Sequence, residues 1–406
     1  MRKINTRHFH RATRTTPREI NRQIVLNLVR DHQPISRADL ARRMDVGRGM
    51  VTSLVNELLA EGELREGETA NVPRGRKPKL LHIRSHDRLV FAVDIRFTRT
   101  YLMLCDFDGR EHAVESLETD FDPGTLVPEL AERIERLLRV HGAGCSCEGI
   151  GLVVPGPVAR GTGRVLHAPQ MGWHDIDVRA ALEAATGLPV YIENDSTACA
   201  LAEVWLNPHR SNTVESFVYL TVAEGVGSGI MVNGEVVRGH GDMAGEFGHV
   251  PLNFEGPRCL CGARGCWEAY ASDLATLARY TGLELADPTA REQLRASQLT
   301  VAGLVQRARG GDTRALETLE ATGHYLGIGL SLVINAINPA RVILDGQIAT
   351  GWDLVEPPMR RALAAHTLTV EAANTPVILE TGGIHPRLRG AAALVVAPVF
   401  AAPIVA

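Results

Sequence analysis

Long apolar runs are missing from this sequence of 406 residues. Because a helix needs about 20 consecutive apolar residues to cross a bilayer, we expect no transmembrane helix and no membrane partner. Residues 1–22 are basic, but they lack the apolar segment that characterises a secretory signal. Both absences predict a cytoplasmic protein.

Cysteine is scarce, and the number of cysteines, seven, is odd. An odd number favours a reduced compartment over a framework of disulfides. Low-complexity linkers and strong internal repeats are also missing from the sequence. Hydrophobic residues make up 45% and charged residues 22% of the chain, as in soluble globular proteins. A chain of this length and composition is predicted to fold around two or three cores.

The net charge of −4 is distributed unevenly along the chain. Residues 1–88 hold 19 Lys and Arg against 10 Asp and Glu, a net charge of +9. The remaining residues hold 24 against 37, a net charge of −13. Basic surfaces bind nucleic acids by releasing counterions from phosphates, so the N-terminal part is predicted to bind a polyanion. Charge alone leaves a well-solvated surface helix as an equally good interpretation.

Residues 1–86, which we call the head, are predicted to form a DNA-binding domain. Apolar residues recur at helical spacing in three segments: 19–30, 37–44 and 48–61. Ser36 is a good N-cap for the second helix, and a short turn separates this helix from the third. Residues 63–69 and 80–83 can pair as a hairpin. Three helices and a hairpin are typical of a winged helix-turn-helix, although three unrelated helices remain an alternative.

The third helix of such a head fits the major groove of DNA, where exposed side chains reach base edges. Five of its side chains are predicted to face a double-stranded DNA operator: Arg48, Met50, Thr52, Ser53 and Asn56. In the wing loop, Arg74, Arg76 and Lys77 are predicted to approach the minor groove, whose negative potential is strongest in A·T-rich tracts. A disordered basic turn is the alternative for this loop.

Residues 87–406, which we call the body, show an α/β pattern. Strands are predicted at residues 89–93, 101–106, 149–154, 191–192, 217–222, 228–232 and 236–237. A helix is predicted at residues 126–141. Beyond Ser272 the pattern is mostly helical and is interrupted by one strand at residues 341–344.

Four potential metal ligands lie close together in the body. Cys259, Cys261 and Cys266 fall within eight residues, and His249 precedes them by ten. Three thiolates and one imidazole suit a closed tetrahedral Zn²⁺ site. Since no coordination position would stay open, the zinc is predicted to be structural. Ordinary buried thiols are the alternative.

The same region carries a longer signature. Residues 245–249 (Gly-Glu-Phe-Gly-His) and 259–268 (Cys-Leu-Cys-Gly-Ala-Arg-Gly-Cys-Trp-Glu) resemble the motif of the ROK family of repressors, sugar kinases and uncharacterised reading frames. Further similar segments follow the family's order: residues 155–158, 166–169, 193–195 and 223–229. The resemblance covers essentially the whole chain. It implies an actin/hexokinase-like (ribonuclease H-like) body of two lobes with a sugar cleft between them.

The resemblance also implies which residues bind the sugar. Carried over by position, they are Gly156, Asn194, Asp195, Glu246, His249 and Glu268. Carboxylates and amides can pair with both the donor and the acceptor of a sugar hydroxyl. His249 would face zinc with one ring nitrogen and the sugar with the other, so that the metal orients the binding loop.

Three segments depart from the pattern of ROK kinases, in which Asp195 would act as the general base. The first phosphate loop of the kinases resembles Asp-x-Gly-Gly-Thr, whereas Arg96 and Phe97 replace the glycines here and add bulk where phosphate would lie. In the second loop Glu224 places a carboxylate near the phosphates. Residues 345–347 (Asp-Gly-Gln) lack the usual Gly-Gly pair. The protein is therefore predicted not to be an enzyme, with Asp195 a vestigial base.

Together these features predict a DNA-binding transcriptional regulator of the repressor type. A sugar bound to the body would alter the placement of two heads in a homodimer or tetramer and so change DNA affinity. An active ATP-dependent sugar kinase with a DNA-binding head is one alternative, and a regulator controlled by another protein is a second. The sequence leaves open the identity of the sugar, the operator and the sign of the response, although release of DNA is commoner by family resemblance.

Overall fold

A computed structural model of the chain describes residues 16–70, 77–206, 216–380 and 385–401. Within these ranges the head contains the predicted three helices and hairpin, with one additional short strand. In chain order the elements are α1 (Thr16–His32), β1 (Ile35–Ser36), α2 (Arg37–Met44), α3 (Arg48–Ala60), β2 (Leu64–Thr69) and β3 (Lys79–Ile83). The three strands form an antiparallel sheet in the order β1-β3-β2.

Local chemistry sets the ends of α2 in the head. The Ser36 hydroxyl accepts a hydrogen bond from the backbone N–H of Asp39, and the Asp39 carboxylate accepts one from the backbone N–H of Ser36. This reciprocal pair is a capping box, which fixes the start of the helix. Asp45 ends α2 in the left-handed conformation, at φ 52°. The resulting turn lets α2 and α3 bury Leu40, Val51 and Leu54 against α1.

The body begins with the first lobe, built on a five-stranded sheet. Its elements are β4 (Arg88–Ile95), β5 (Arg99–Asp106), β6 (Glu111–Glu118), α4 (Pro123–His141), β7 (Ser146–Val154), β8 (Val158–Ala159), β9 (Arg164–Ala168), β10 (Trp173–Ile176), α5 (Val178–Thr186), β11 (Val190–Asn194) and α6 (Asp195–Trp205). The sheet order is β11-β7-β4-β5-β6, and β8–β10 form a separate small antiparallel sheet. All eight residues of β4 are buried, as expected of a central strand.

The second lobe repeats this topology. Its elements are β12 (Phe217–Val222), β13 (Val226–Val232), β14 (Glu235–Val236), α7 (Glu268–Ala271), α8 (Asp273–Thr281), α9 (Pro288–Ala296), α10 (Val301–Arg309), α11 (Thr313–Ile337), β15 (Arg341–Asp345), α12 (Trp352–His366), α13 (Val370–Ala373) and β16 (Val377–Leu379). The last helix, α14 (Pro386–Phe400), returns to the first lobe. The sheet order is β14-β13-β12-β15-β16. In each lobe an antiparallel meander of three strands precedes two parallel strands.

This duplication was not evident from the sequence, in which we found no strong internal repeat. The pattern also missed β6, the small sheet β8–β10, the helices α5 and α6, and β16. The strands among these elements are short or only half-buried, so their apolar periodicity is weak. The longer predicted strands and helices of the body are present, with ends shifted by one to three residues.

The helix α14 packs on the first lobe and also contacts the head. Its N-terminal part packs on α6 and on the central strands of the first lobe. At its C-terminal end, the side-chain amide of Gln23 donates to the carbonyls of Val399 (2.8 Å) and Ala401 (2.7 Å). The Asn27 amide donates to the Phe400 carbonyl at 2.9 Å. One apolar cluster therefore runs from the head into the body.

The predicted boundary at residue 86 falls in the connection between β3 and β4. The apolar cluster contains residues on both sides of this connection, so head and body share part of their core. The domain boundary at residue 86 stays a prediction. None of the helices in the described ranges is both long and apolar enough to span a bilayer.

Replacing Phe400 with alanine tests the shared cluster. The Phe400 ring is 3% exposed, lies beneath the Arg30 guanidinium (4.6 Å to the ring centroid) and packs near Phe107. We expect Phe400→Ala to lower the free energy of unfolding by about 3–5 kcal/mol, measured by urea denaturation, because the cavity would lie inside the core. Val140→Ala, at a position that is 67% exposed, is the control. Equal stabilities of the two variants would contradict a shared core.

Candidate functional site

A cleft of about 260 Å³ lies where the strand ends of the two lobes meet. All six predicted sugar-binding residues line this cleft: Gly156, Asn194, Asp195, Glu246, His249 and Glu268. They come from separate segments of both lobes. Ligands of α/β proteins commonly bind beyond the carboxyl ends of parallel strands, and β7 and β11 end here. The roles of the six residues stay predictions, but the fold brings all of them to one cavity.

The floor of the cleft depends on Gly156 and Asn194. Gly156 has a φ of +82°, and a Cβ there would lie 2.1 Å from the carbonyl oxygen of His167, so only glycine fits. The Asn194 amide donates to the Gly156 carbonyl at 3.1 Å, and its carbonyl oxygen accepts from the backbone N–H groups of Ser196 and Thr197. Asn194 is thus the N-cap of α6. Much of its hydrogen-bonding capacity holds the loop around Gly156 in place.

Glu246, His249 and Glu268 form the opposite wall. Glu268 is buried, and its carboxylate accepts from the backbone N–H of Val226 at 3.1 Å. The Nε2 atom of His249 lies 3.9 Å from the Glu246 carboxylate. Burial raises the pKa of Glu246 above its ordinary value. This wall therefore offers both donors and acceptors to a polar ligand.

The predicted metal ligands also come together. The ligand atoms of His249, Cys259, Cys261 and Cys266 all lie within 4.8 Å of one another. The Nδ1 atom of His249 is 3.8 Å from the Cys259 sulfur, and the sulfurs of Cys261 and Cys266 are 3.7 Å apart. Such a cluster of three thiols and one imidazole could hold a metal ion. The Nδ1 atom of His249 faces this cluster and its Nε2 atom faces Glu246 in the cleft, while the roles toward zinc and sugar stay predictions.

Sequence reasoning missed Arg387, the central cation of the cleft. It lies in the first turn of α14, and its guanidinium forms an ion pair with the predicted base Asp195 at 3.1 Å. Although burial lowers the pKa of Arg387, the carboxylates of Asp195 and Asp94 raise it above its ordinary value. The guanidinium is therefore always charged. A buried arginine needs acidic partners, so its place at the start of a mostly apolar helix was the available signal.

A second arginine, Arg96, also contacts an acidic group beneath the cleft. Its guanidinium donates to the fully buried Asp94 carboxylate at 2.5 Å and lies over the Tyr101 ring. Burial raises the pKa of Asp94, whereas Arg96 and Arg387 lower it. Next to it, the ring of Phe97 stacks on Phe121 at 5.5 Å. Arg96 and Phe97 thus line the cleft while packing mainly on their own lobe.

Two contacts cross the mouth of the cleft. Arg238 of the second lobe forms an ion pair with Glu193 at the end of β11 in the first lobe. Asp242 accepts a hydrogen bond from the backbone N–H of Arg160 at 2.9 Å. Residues 237–246 therefore connect the lobes beside the ligand cavity.

In the head, all five predicted DNA-facing residues of α3 are exposed: Arg48, Met50, Thr52, Ser53 and Asn56. The side chains of three of them make hydrogen bonds within the head. The Thr52 hydroxyl donates to the Arg48 carbonyl, Ser53 accepts from Arg18, and Asn56 accepts from Arg37. The sequence analysis did not include these two arginines in the predicted face. Lys77 is exposed, while Arg74 and Arg76 lie outside the described residues.

Replacing Arg387 with alanine tests the charge balance under the cleft. Arg387→Ala would leave the buried carboxylates of Asp195 and Asp94 without their shared counter-charge. We expect the free energy of unfolding, measured in urea, to fall by about 3–5 kcal/mol. Arg309→Ala is the matched control, because Arg309 pairs with Asp353 at the surface and should contribute less than about 1 kcal/mol. Similar losses in both variants would refute a special role for Arg387.

Comparison with known proteins identifies the family to which this architecture belongs. Residues 90–397 match the ROK family. The xylose repressor of Bacillus spizizenii (strain ATCC 23059 / NRRL B-14472 / W23) is 27% identical over 362 residues, which cover 87% of this chain and 89% of the repressor. A glucokinase of Halalkalibacterium halodurans (strain ATCC BAA-125 / DSM 18197 / FERM 7344 / JCM 9153 / C-125) is 31% identical over 253 residues, 61% of this chain and 76% of the kinase.

Among solved structures, a ROK family transcriptional regulator described as a homolog of the E. coli MLC protein has the same fold. The TM-score is 0.78 at 24% identity, and the match covers 95% of this chain and 97% of the other. The match to the ROK family extends over three quarters of the sequence. It includes both lobes, the cleft residues and the cluster of His249 and three cysteines. The chain belongs to the ROK family.

Proposed function

We propose that this protein is a transcriptional repressor whose body binds a sugar and whose head binds an operator in double-stranded DNA. One observation carries the proposal: α14 begins in the ligand cleft with Arg387 and ends against α1 of the head. This single helix thus runs from the ligand cleft to α1 of the head. Because such a repressor works where its DNA is, we place it in the cytoplasm.

The head has the order and the charge of a winged helix-turn-helix. Its helix α3 is apolar on the inner face and exposed on the outer, with Arg48 at its first position. Arg18 and Arg37 add two guanidinium groups to this outer face. Cations near phosphates and polar side chains near base edges suit the major groove. We propose that the wing, with Lys77, follows the minor groove.

The cleft suits a small, uncharged, polar ligand. Its volume of about 260 Å³ accommodates one sugar ring with its hydroxyls. Donors and acceptors from His249, Glu246 and Glu268 face one side, and Asp195 lies at the base. We assign the sugar to this cleft, with a pentose or a hexose as the ligand class.

Two features oppose catalysis by the same cleft. A general base must be free to take a proton, but Asp195 is held by the permanently charged Arg387. The carboxylate of Glu224 also lines the cleft, on the loop where kinases of the family hold phosphate. These features favour a sensor over a kinase. The likeness to a glucokinase keeps phosphoryl transfer as the second candidate function.

Coupling between the sites follows from α14. A ligand that shifts Asp195 or the loop around it would move the ion pair with Arg387 and, through the helix, the contacts of Gln23 and Asn27. In a homodimer, a small rotation of α1 changes the spacing of the two heads on a pseudo-palindromic operator. Such coupling is typically about 1–3 kcal/mol, enough to release DNA.

Selection of bound DNA from a random pool, with and without each sugar of a pentose and hexose panel, tests this function. We expect a palindromic consensus whose recovery falls by roughly five- to a hundredfold when the effector is present. Arg48→Ala should lose most of the affinity for that consensus, because Arg48 leads the predicted recognition face. Arg139→Ala, an exposed arginine on the body, is the control.

Three results would contradict the proposal. Failure to enrich any sequence would refute DNA recognition, and an unchanged pool with every sugar would favour control by a protein partner. Sugar-dependent release of ADP from ATP would identify the protein as a kinase.

We further propose that the cysteine cluster binds a structural Zn²⁺. Four thiolates or imidazoles around zinc form a tetrahedron in which a Zn–S distance of about 2.3 Å separates sulfurs by about 3.8 Å. The observed separation of 3.7 Å between Cys261 and Cys266 supports this fit. The ion would hold the loop that carries His249, while Glu268 contacts both the cluster and the cleft. The metal would therefore position ligand-binding groups and take no part in a reaction.

Metal analysis of the purified protein checks this site. We expect about one zinc per chain, and we expect Cys266→Ser to lose the zinc together with much of the sugar affinity. Cys145→Ser is the control, because Cys145 lies outside the cluster. Absence of zinc from the wild type, or full occupancy in Cys266→Ser, would refute the assignment.

A further inference from the structure

A second cavity of about 340 Å³ adjoins the cleft. Phe97, Gln170 and Glu224 line both spaces, so the two cavities share a wall. The three segments that depart from the kinase pattern meet here, since Phe97, Glu224 and Gln347 all line the second cavity. From the sequence, Phe97 is expected to add bulk at this position. The cavity instead stays open beside Phe97, whose ring stacks on Phe121.

The walls of the second cavity are mainly apolar. Five leucines line it: Leu260, Leu274, Leu277, Leu294 and Leu299. The ring of Phe97 adds an aromatic group beside the cleft. Such a lining binds an apolar or aromatic body and gives little to a strongly hydrated one.

Two buried polar groups in the wall lack partners within the described residues. The Oδ1 atom of Asp273 and the Nε atom of Arg291 are inaccessible and make no hydrogen bond there. Asp273 is 7% exposed, and burial raises its pKa well above the ordinary value. Both atoms are shielded from solvent, so the occupant of the cavity is selected by its exposed lining, which is mainly apolar.

Acidic and basic side chains both lie around the second cavity. Glu224 and Asp273 contribute two carboxyl groups, and Arg291 and Arg295 contribute two guanidinium groups. Arg295 also contacts Glu118 at 3.4 Å and lies over Phe97. Of the acidic groups, Glu224 lines both cavities, so a phosphate that entered from the cleft would first meet this carboxylate. This position of Glu224 favours an uncharged occupant.

We propose that the second cavity receives an uncharged, apolar or aromatic substituent of the effector, so that the effector is a substituted sugar rather than a free monosaccharide. The sugar ring lies in the cleft, and the substituent passes Phe97 and Glu224 to reach the leucines. This inference rests on the proposed function, because it assumes a sugar in the cleft. It adds the class of effector that the two adjoining cavities select.

Calorimetric titration of the full-length protein tests this inference with matched ligands. The probes are xylose, glucose and N-acetylglucosamine, each free, with a phenyl group on the anomeric oxygen, and with a phenyl group on the hydroxyl at the opposite end. We expect one phenyl series to bind roughly ten- to a hundredfold more tightly than the free sugar, because a filled apolar pocket contributes on that scale.

A variant that fills the second cavity tests whether the gain in affinity from the phenyl group arises in that cavity. Leu274 is half-buried and lines only the second cavity, so Leu274→Trp should abolish the gain while preserving the affinity for the free sugar. Leu368→Trp, at a position that is 89% exposed, should retain the gain. If Leu274→Trp does not fold, the comparison of free and phenyl sugars on the wild type still tests whether a phenyl group adds affinity.

The outcomes separate the two proposals. Binding of free sugars with no gain from either phenyl position refutes the substituted effector and leaves the proposed function intact. A gain that survives in Leu274→Trp also refutes it, because the substituent would lie elsewhere. No binding of any free or substituted sugar refutes sugar sensing itself.

Discussion

The ion pair between Arg387 and Asp195 is the constraint around which the cleft is organised. Asp94, Asp195 and Asp345 all lie near Arg387, where strand ends of both lobes meet, and burial is the largest cause that raises the pKa values of Asp94 and Asp345. Several carboxylates cannot stay charged together in a buried space without a cation. Arg387 supplies that charge from within the chain, so the two lobes are joined electrostatically without an external cation.

The same residue gives α14 two roles. At its first turn the helix neutralises the cleft, and at its last turn its carbonyls accept hydrogen bonds from Gln23 and Asn27 of the head. A rigid helix transmits a displacement along its axis because its hydrogen bonds are internal and its packed faces resist compression. Head and body also share one apolar cluster, which opposes independent motion of the head. The helix α14 and this cluster thus connect the cleft to the head through packed contacts.

Two groups of positions in the cleft place different demands on the chain. Glu268 links the cysteine cluster to the start of β13, and Gly156 is required by a close backbone contact. By contrast, Arg96, Phe97 and Glu224 stand at positions that the family resemblance compares with the phosphate loops of kinases. Ligand-holding geometry depends on a few backbone positions, whereas phosphoryl transfer also requires a free base and a neutralised phosphate.

Much of this protein was determined by local sequence. Ser36 and the apolar spacing of residues 37–44 fix α2 because a capping box and one buried face are local properties. The cysteine spacing predicted the metal cluster because the three thiols lie within one short loop. Only the tertiary structure decided the repeat of the two lobes, the partners of Arg387 and the adjoining second cavity. Each joins residues far apart in the chain, and the free energy of a long-range pair depends on burial and distance, which no local pattern encodes.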